Sequence, residues 1–202
     1  MQNAAFAACG LDWTYVLLPT QEAALEQCVA GLVELGFAGA NVTTPYKLDV
    51  CKFCETEVPS VNTLIVRDGS VEGHSTDAAI LAGLRSERPA ILGDGGTAAA
   101  FRHALPSAHV FSRRGDWPPD VTDADLVVNA TSARDEVLVE LGSGQTLIDL
   151  PYPETATALA ARDAGAHVLT GLDVLVAQGA VAFELWTGVA APVDVMREAV
   201  RS

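Results

Sequence analysis

Between a short apolar run and a helix-forming stretch the chain carries Gly93-Asp94-Gly95-Gly96-Thr97-Ala98. This G-x-G-x-x-A pattern follows Ala90-Ile91-Leu92 and precedes a helical stretch reaching about Leu105. A strand that turns into a helix this quickly needs a first glycine, Gly93, for the tight turn. It needs a second, Gly95, so that backbone can approach a pyrophosphate, and a small residue, Ala98, so that the helix packs on the strand. Gly96 and Thr97 then open a helix whose N-terminal amides face the phosphates. The feature demands an α/β unit with a parallel sheet and points to a dinucleotide. Roughly 20 positions after the first glycine, a carboxylate would read the free ribose 2′-hydroxyl of NAD. Here the chain has Ser112-Arg113-Arg114 instead. Two guanidinium groups suit a 2′-phosphate, so the expected cofactor is NADP. Asp94 places a carboxylate in the same turn, where its charge opposes the phosphates.

The rest of the chain alternates strand-like and helix-like segments, the signature of largely parallel sheets. Before the glycine turn, strands are expected at 13–18, 38–42, 63–66 and 71–74, the last two forming a hairpin through Asp68-Gly69. Helices are expected at 3–9, at 47–54, at 77–84, and after Thr20, a potential cap for a face of Leu25, Val29, Leu32 and Val33. Past the turn, strands at 109–111, 125–129, 146–150 and 167–169 are followed by helices at 174–186 and 193–201, with another helix at 155–164. The connection from Arg114 to Asp125 is too short for a full helix. The charged link Arg85-Ser86-Glu87-Arg88 suggests a boundary between residues 1–86 and 87–171, with 172–202 packing back on the first part.

Acidic residues outnumber basic ones 26 to 12, giving a formal net charge of −14. Such a field repels nucleic acid and anionic membranes, so any anion site must be local. No apolar run approaches the ~20 residues needed to span a bilayer. The N-terminus lacks a basic stretch followed by an apolar core, and a cytoplasmic location is expected. The four cysteines include Cys51-Lys52-Phe53-Cys54, but no second pair or closely spaced histidines complete a metal set. Reduced thiols and no metal are expected; a redox or zinc centre at this pair is the weakest alternative.

Asn41-Val42-Thr43-Thr44-Pro45-Tyr46-Lys47 resembles the N-V-T-x-P-x-K motif of shikimate dehydrogenases. Ser60-Val61-Asn62-Thr63 is similar to the family's A-V-N-T, and Gly73-His74-Ser75-Thr76-Asp77 to its G-x-N-T-D. Asn129-Ala130-Thr131-Ser132, Asp149-Leu150-Pro151-Tyr152, the run from Gly171 to Gln178, and Phe183-Glu184-Leu185-Trp186-Thr187-Gly188 come next in family order. The opening Met1-Gln2-Asn3-Ala4-Ala5-Phe6 resembles M-H-N-A-A-F. The resemblance spans nearly the whole chain and implies a substrate-binding α/β lobe beside a Rossmann-like NADP lobe, with the C-terminal helices returning to the first. It further implies reduction of 3-dehydroshikimate to shikimate with NADPH, or action on a related quinate- or aminoshikimate-type acid, within aromatic amino acid biosynthesis.

By the same resemblance, Lys47 and Asp77 match the catalytic pair. Hydride addition to a carbonyl creates an alkoxide that must receive a proton; an ammonium supplies one, and a carboxylate orients it. Thr43, Asn62 and Gln178 match positions that read the substrate's hydroxyls, and Tyr152 matches a tyrosine near its carboxylate. Asn129, Ala130, Thr131 and Gly171 match positions beside the cofactor. The expected partner is a small cyclohexene carboxylate, bound by a monomer or homodimer. Relative to the family pattern, the opening strand and the S-x-S loop that holds the substrate carboxylate would precede Met1. The residues from Met1 onward are therefore expected to form a first sheet lacking that interior strand. Ser75 replaces the asparagine of N-T-D, Ala99 stands where arginine often follows the glycine turn, and 77–93 is compressed. A repurposed relative that binds NADP or a small acid without turnover is the alternative reading.

Overall fold

Short strands are laddered into two separate sheets in the computed structural model, which describes residues 1–201. One unit comprises Met1–Ala79 and the chain from Val176 onward; the other is Ile80–Leu175. The first contains α1 (Gln2–Ala8), α2 (Leu25–Glu34), β1 (Gly39–Asn41), β2 (Thr63–Arg67) and β3 (Ser70–His74). Its strands form an antiparallel sheet in the order β1-β2-β3. The β2–β3 hairpin turns at Asp68 and Gly69, with φ of +49° and +80°, as a tight two-residue loop requires. The apolar stripe of α2, Leu25, Val29 and Leu32, packs with Val61 and Leu64 beneath the sheet.

The second unit contains β4 (Pro89–Leu92), α3 (Gly96–Ala104), β5 (His109–Phe111), β6 (Leu126–Asn129), β7 (Thr146–Asp149), α4 (Ala156–Asp163) and β8 (His167–Leu169). The five strands are all parallel, in the order β5-β4-β6-β7-β8. Continuous burial along β4 and β6 is the mark of a sheet covered on both faces. Residues 112–125 contain no helix, and Trp117 and Val121 pack against the core there instead. Asp125 fastens the entry to β4, accepting hydrogen bonds from the Ser86 hydroxyl and the backbone N–H groups of Glu87 and Arg88. Burial opposes its ionisation, but these bonds outweigh that cost and hold its carboxyl below the ordinary range. Helix α5 (Gly171–Thr187) begins in this unit and continues into the first, where α6 (Val193–Ala199) comes after it and α1, α5 and α6 share a core.

Four local expectations give way to tertiary context. Residues 13–18 form no ladder, although their composition suits a strand. A strand needs a backbone partner, and among the described residues β1 is laddered to β2 alone. Side chains hold the segment instead: Asn3 Nδ2 donates to Tyr15 O at 3.0 Å, and Tyr15 N–H donates to Asn3 Oδ1 at 2.6 Å. An apolar groove lies between this segment and the free edge of β1, lined by Val16, Leu18, Leu25, Leu32 and Val42 among others. Thr20 does not cap α2, because its hydroxyl donates to Leu18 O and a 3-10 turn at Glu22–Ala24 intervenes. The stretches at 47–54 and 77–84 hold only 3-10 turns, Asp49–Lys52 and Asp77–Leu81. In the first, the Lys47 carbonyl is taken by Val61 N–H at 2.9 Å; the second stops before Gly83 at φ +83°.

Candidate active site

In the first unit the chain leaves β1 through Val42, whose N–H donates to Asn62 O at 2.8 Å. Tyr46 is anchored by its hydroxyl, which donates to Thr20 O at 2.8 Å, and by its carbonyl, which accepts from Val50 N–H. The backbone at Lys47 is thereby fixed on both sides. Its ammonium reaches both oxygens of Asp77, at 2.8 Å and 2.7 Å. The pair is nearly dry, with side chains 11% and 6% exposed.

Asn62, fully buried just before β2, connects this pair to α5. Its Nδ2 lies 2.9 Å from Asp77 Oδ1, 2.8 Å from Gln178 Oε1 and 3.0 Å from Thr76 Oγ1. Its Oδ1 accepts from Thr76 N–H at 2.7 Å and lies 3.2 Å from the hydroxyls of Thr63 and Thr76. The network runs outward through Asn41 Nδ2, 3.2 Å from Thr63 Oγ1, to the Tyr15 hydroxyl, which donates to Asn41 Oδ1 at 3.0 Å. Burial pushes the Tyr15 hydroxyl above its ordinary pKa, so it remains a donor. Next in sequence to these groups, the buried hydroxyls of Ser60 and Ser75 make no hydrogen bond among the described residues.

Lys47, Asp77, Asn62 and Gln178 thus form one cluster. Thr43 stands exposed just after β1, outside it, and Tyr152 is 54% exposed in the other unit. The polar neighbours Thr63, Thr76 and Asn41 were not singled out from sequence. Thr76 sits inside the S-T-D motif, which was the available signal; nothing local marks Asn41 as a support for Asn62. The C-x-x-C thiols are free, and burial, with Cys51 beside it, pushes Cys54 up to about 11, so that it is protonated at neutral pH.

In the second unit the glycine turn takes the form its pattern requires. Gly93 has φ +115°, and a Cβ there would lie 2.8 Å from Ala130 O, so no larger residue fits. Gly95 precedes the first turn of α3, and a Cβ there would meet nothing, leaving open backbone in front of the helix. Ala98 is buried on the sheet side of α3. Asn129, fully buried at the end of β6, donates to Asp149 Oδ1 at 2.7 Å and accepts from Thr131 N–H and hydroxyl at 3.2 Å and 2.8 Å. With Ala130 N–H bonded to Leu92 O at 2.8 Å, the Asn129-Ala130-Thr131 loop is fixed against the glycine turn. Gly96 and Thr97 open α3, and Gly171 opens α5, where a Cβ would lie 2.5 Å from Leu150 O.

Ser112, Arg113 and Arg114 lie just past β5, with Ser112 N–H donating to Asp116 O at 3.1 Å. Arg113 Nη2 meets Glu136 Oε1 at 2.5 Å, and its guanidinium carbon lies 5.6 Å from the Trp117 ring centroid. Arg114 Nε is 3.7 Å from Asp94 Oδ2, so the carboxylate in the glycine turn has a cation beside it. Glu136 and Trp117 carry no motif that would have revealed them.

The model of the shikimate dehydrogenase substrate binding domain matches residues 1–64, and that of the shikimate 5′-dehydrogenase C-terminal domain matches 171–201. Shikimate dehydrogenase (NADP(+)) of Anaeromyxobacter sp. (strain Fw109-5) is 39% identical over 249 residues, covering 99% of this chain and 89% of that protein. Among solved structures, a shikimate dehydrogenase in complex with NADP+ superposes with a TM-score of 0.90 at 26% identity, covering 99% of this chain and 88% of that one. The Thermus thermophilus shikimate 5-dehydrogenase in complex with NADP(H) and shikimate gives 0.87 at 27% identity, covering 99% and 92%. Likeness of this extent, over both units and at this identity, means that the chain belongs to the shikimate dehydrogenase family.

Proposed function

We propose that this chain is an NADP-dependent oxidoreductase that interconverts 3-dehydroshikimate and shikimate, or a closely related ring acid, as a monomer or homodimer in the cytoplasm. The observation that carries the reading is the buried Lys47–Asp77 pair wired through Asn62 to Gln178. The names of the relatives at this identity agree with it. Four free thiols agree with a reducing compartment.

The residues of the second unit fit NADP. Open backbone at Gly95 and the amide end of α3 suit the pyrophosphate, and Arg113 and Arg114 suit the 2′-phosphate. Asn129, Ala130, Thr131 and Gly171 shape the edge beside it. When bound, the cofactor supplies a hydride to the carbonyl carbon, or accepts one in the reverse direction. Lys47 Nζ donates to the carbonyl oxygen and delivers the proton that the developing alkoxide takes up. Asp77 holds the ammonium in a two-oxygen grip, which fixes where that proton is presented. Asn62, Gln178 and Thr43 are neutral, so they read ring hydroxyls without adding charge. Tyr152 is assigned to the carboxylate by the family resemblance alone.

Absorbance at 340 nm tests the reading: the purified chain with shikimate and NADP should generate NADPH, and Lys47→Ala should abolish that signal while still binding NADP. Silence from a folded chain that binds NADP would support the repurposed relative instead.

A further inference from the structure

The backbone around Glu136 is fixed by the start of α4. Ala156 N–H donates to Arg134 O at 2.7 Å, the buried Thr157 hydroxyl lies 3.3 Å from Glu136 O, and it accepts from Leu138 N–H at 3.0 Å. The Glu136 backbone is thereby held, and its carboxylate meets the guanidinium of Arg113 at 2.5 Å. Trp117 bounds the same guanidinium from one face. Of the two arginines suited to a 2′-phosphate, Arg113 is hydrogen-bonded to a carboxylate of this chain, whereas Arg114 has Asp94 only at 3.7 Å.

Resting on the NADP reading, we propose that Glu136 is a specificity-determining residue, a built-in competitor that weakens NADP binding and narrows the preference for NADP over NAD. A 2′-phosphate and a carboxylate sharing one guanidinium repel each other, so NADP must displace Glu136 or bear its charge. A neutral 2′-hydroxyl has no such conflict, and a carboxylate is the group that reads it. The chain's net charge of −14 adds to the cost for the phosphate, but Glu136 is the carboxylate paired with Arg113 itself.

Glu136→Gln keeps the shape and the backbone contacts and removes the charge. Calorimetric titration of the full chain with NADP+ and with NAD+, at low ionic strength, should show NADP binding about two- to five-fold tighter in the variant, the scale of an exposed ion pair. NAD binding should be unchanged or weaker. The gain should vanish in an Arg113→Ala background and at 1 M salt, where the screening length falls to about 3 Å. An unchanged NADP affinity, an equal gain for both dinucleotides, or a gain that survives Arg113→Ala would each overturn the proposal while leaving the cofactor reading intact. A folded parent chain that binds no NADP would overturn both.

Discussion

At the scale of single residues, the catalytic role proposed for the Lys47–Asp77 pair is separable from its part in stability. Removing one partner of a buried ion pair strands the other charge, at a cost of about 3–5 kcal/mol. Lys47→Ala should therefore lower the urea midpoint as well as turnover. Adding Asp77→Asn removes the stranded charge, so the double variant should regain most of the midpoint and none of the turnover. Recovery of activity with stability would show that Lys47 acts through folding alone. Lys47, Asp77, Asn62 and Gln178 were singled out only through their match to the family's motifs, and the structure brings the four into one cluster. Their supports were not singled out. Which hydroxyl meets Asn62 Oδ1, or which carboxylate meets Arg113, depends on chain segments 14 and 23 residues apart. Beyond Thr76, which lies in the S-T-D motif, no local pattern encodes such a meeting.

Among the elements, the strands of the second unit were readable because a covered parallel strand is a plain apolar run, and the glycine turn dictated that β4 leads directly into a helix. Residues 13–18 have an equally good strand composition, yet a ladder is a property of two segments and this one lacks a neighbour. Close packing of elements was equally invisible. Gly39 in β1 sits where a Cβ would lie 2.2 Å from Leu64 O and 2.4 Å from Trp186 Nε1. The Trp186 indole N–H donates to Leu64 O at 2.9 Å, tying α5 to the sheet at this point. Gly39→Ala should push the indole away and lower stability by about 1–3 kcal/mol, the usual cost of overpacking, as a drop in thermal midpoint. A midpoint within a degree of the parent would mean that α5 shifts freely on the sheet, contrary to the geometry.

For the whole molecule, the charge balance was readable by counting, and the two-lobe plan came from the family resemblance; alternation alone suggested parallel sheets, whereas the first sheet is antiparallel. What counting could not reveal is how the surface divides between repulsion and attraction. The net charge of −14 drives copies of the chain apart in dilute salt. Along one side, however, the free edge of β1 faces the apolar segment whose Leu17 is 87% exposed. An open edge beside apolar side chains is a template for another chain's backbone. The colloidal behaviour of the protein should therefore turn on salt: once screening silences the charge, light scattering should climb with protein concentration, and Leu17→Lys should suppress that climb without moving the thermal midpoint. Scattering indifferent to both salt and Leu17→Lys would place the sticky surface elsewhere; the expected outcome makes the open edge beside the apolar groove the feature that decides how concentrated this protein can become.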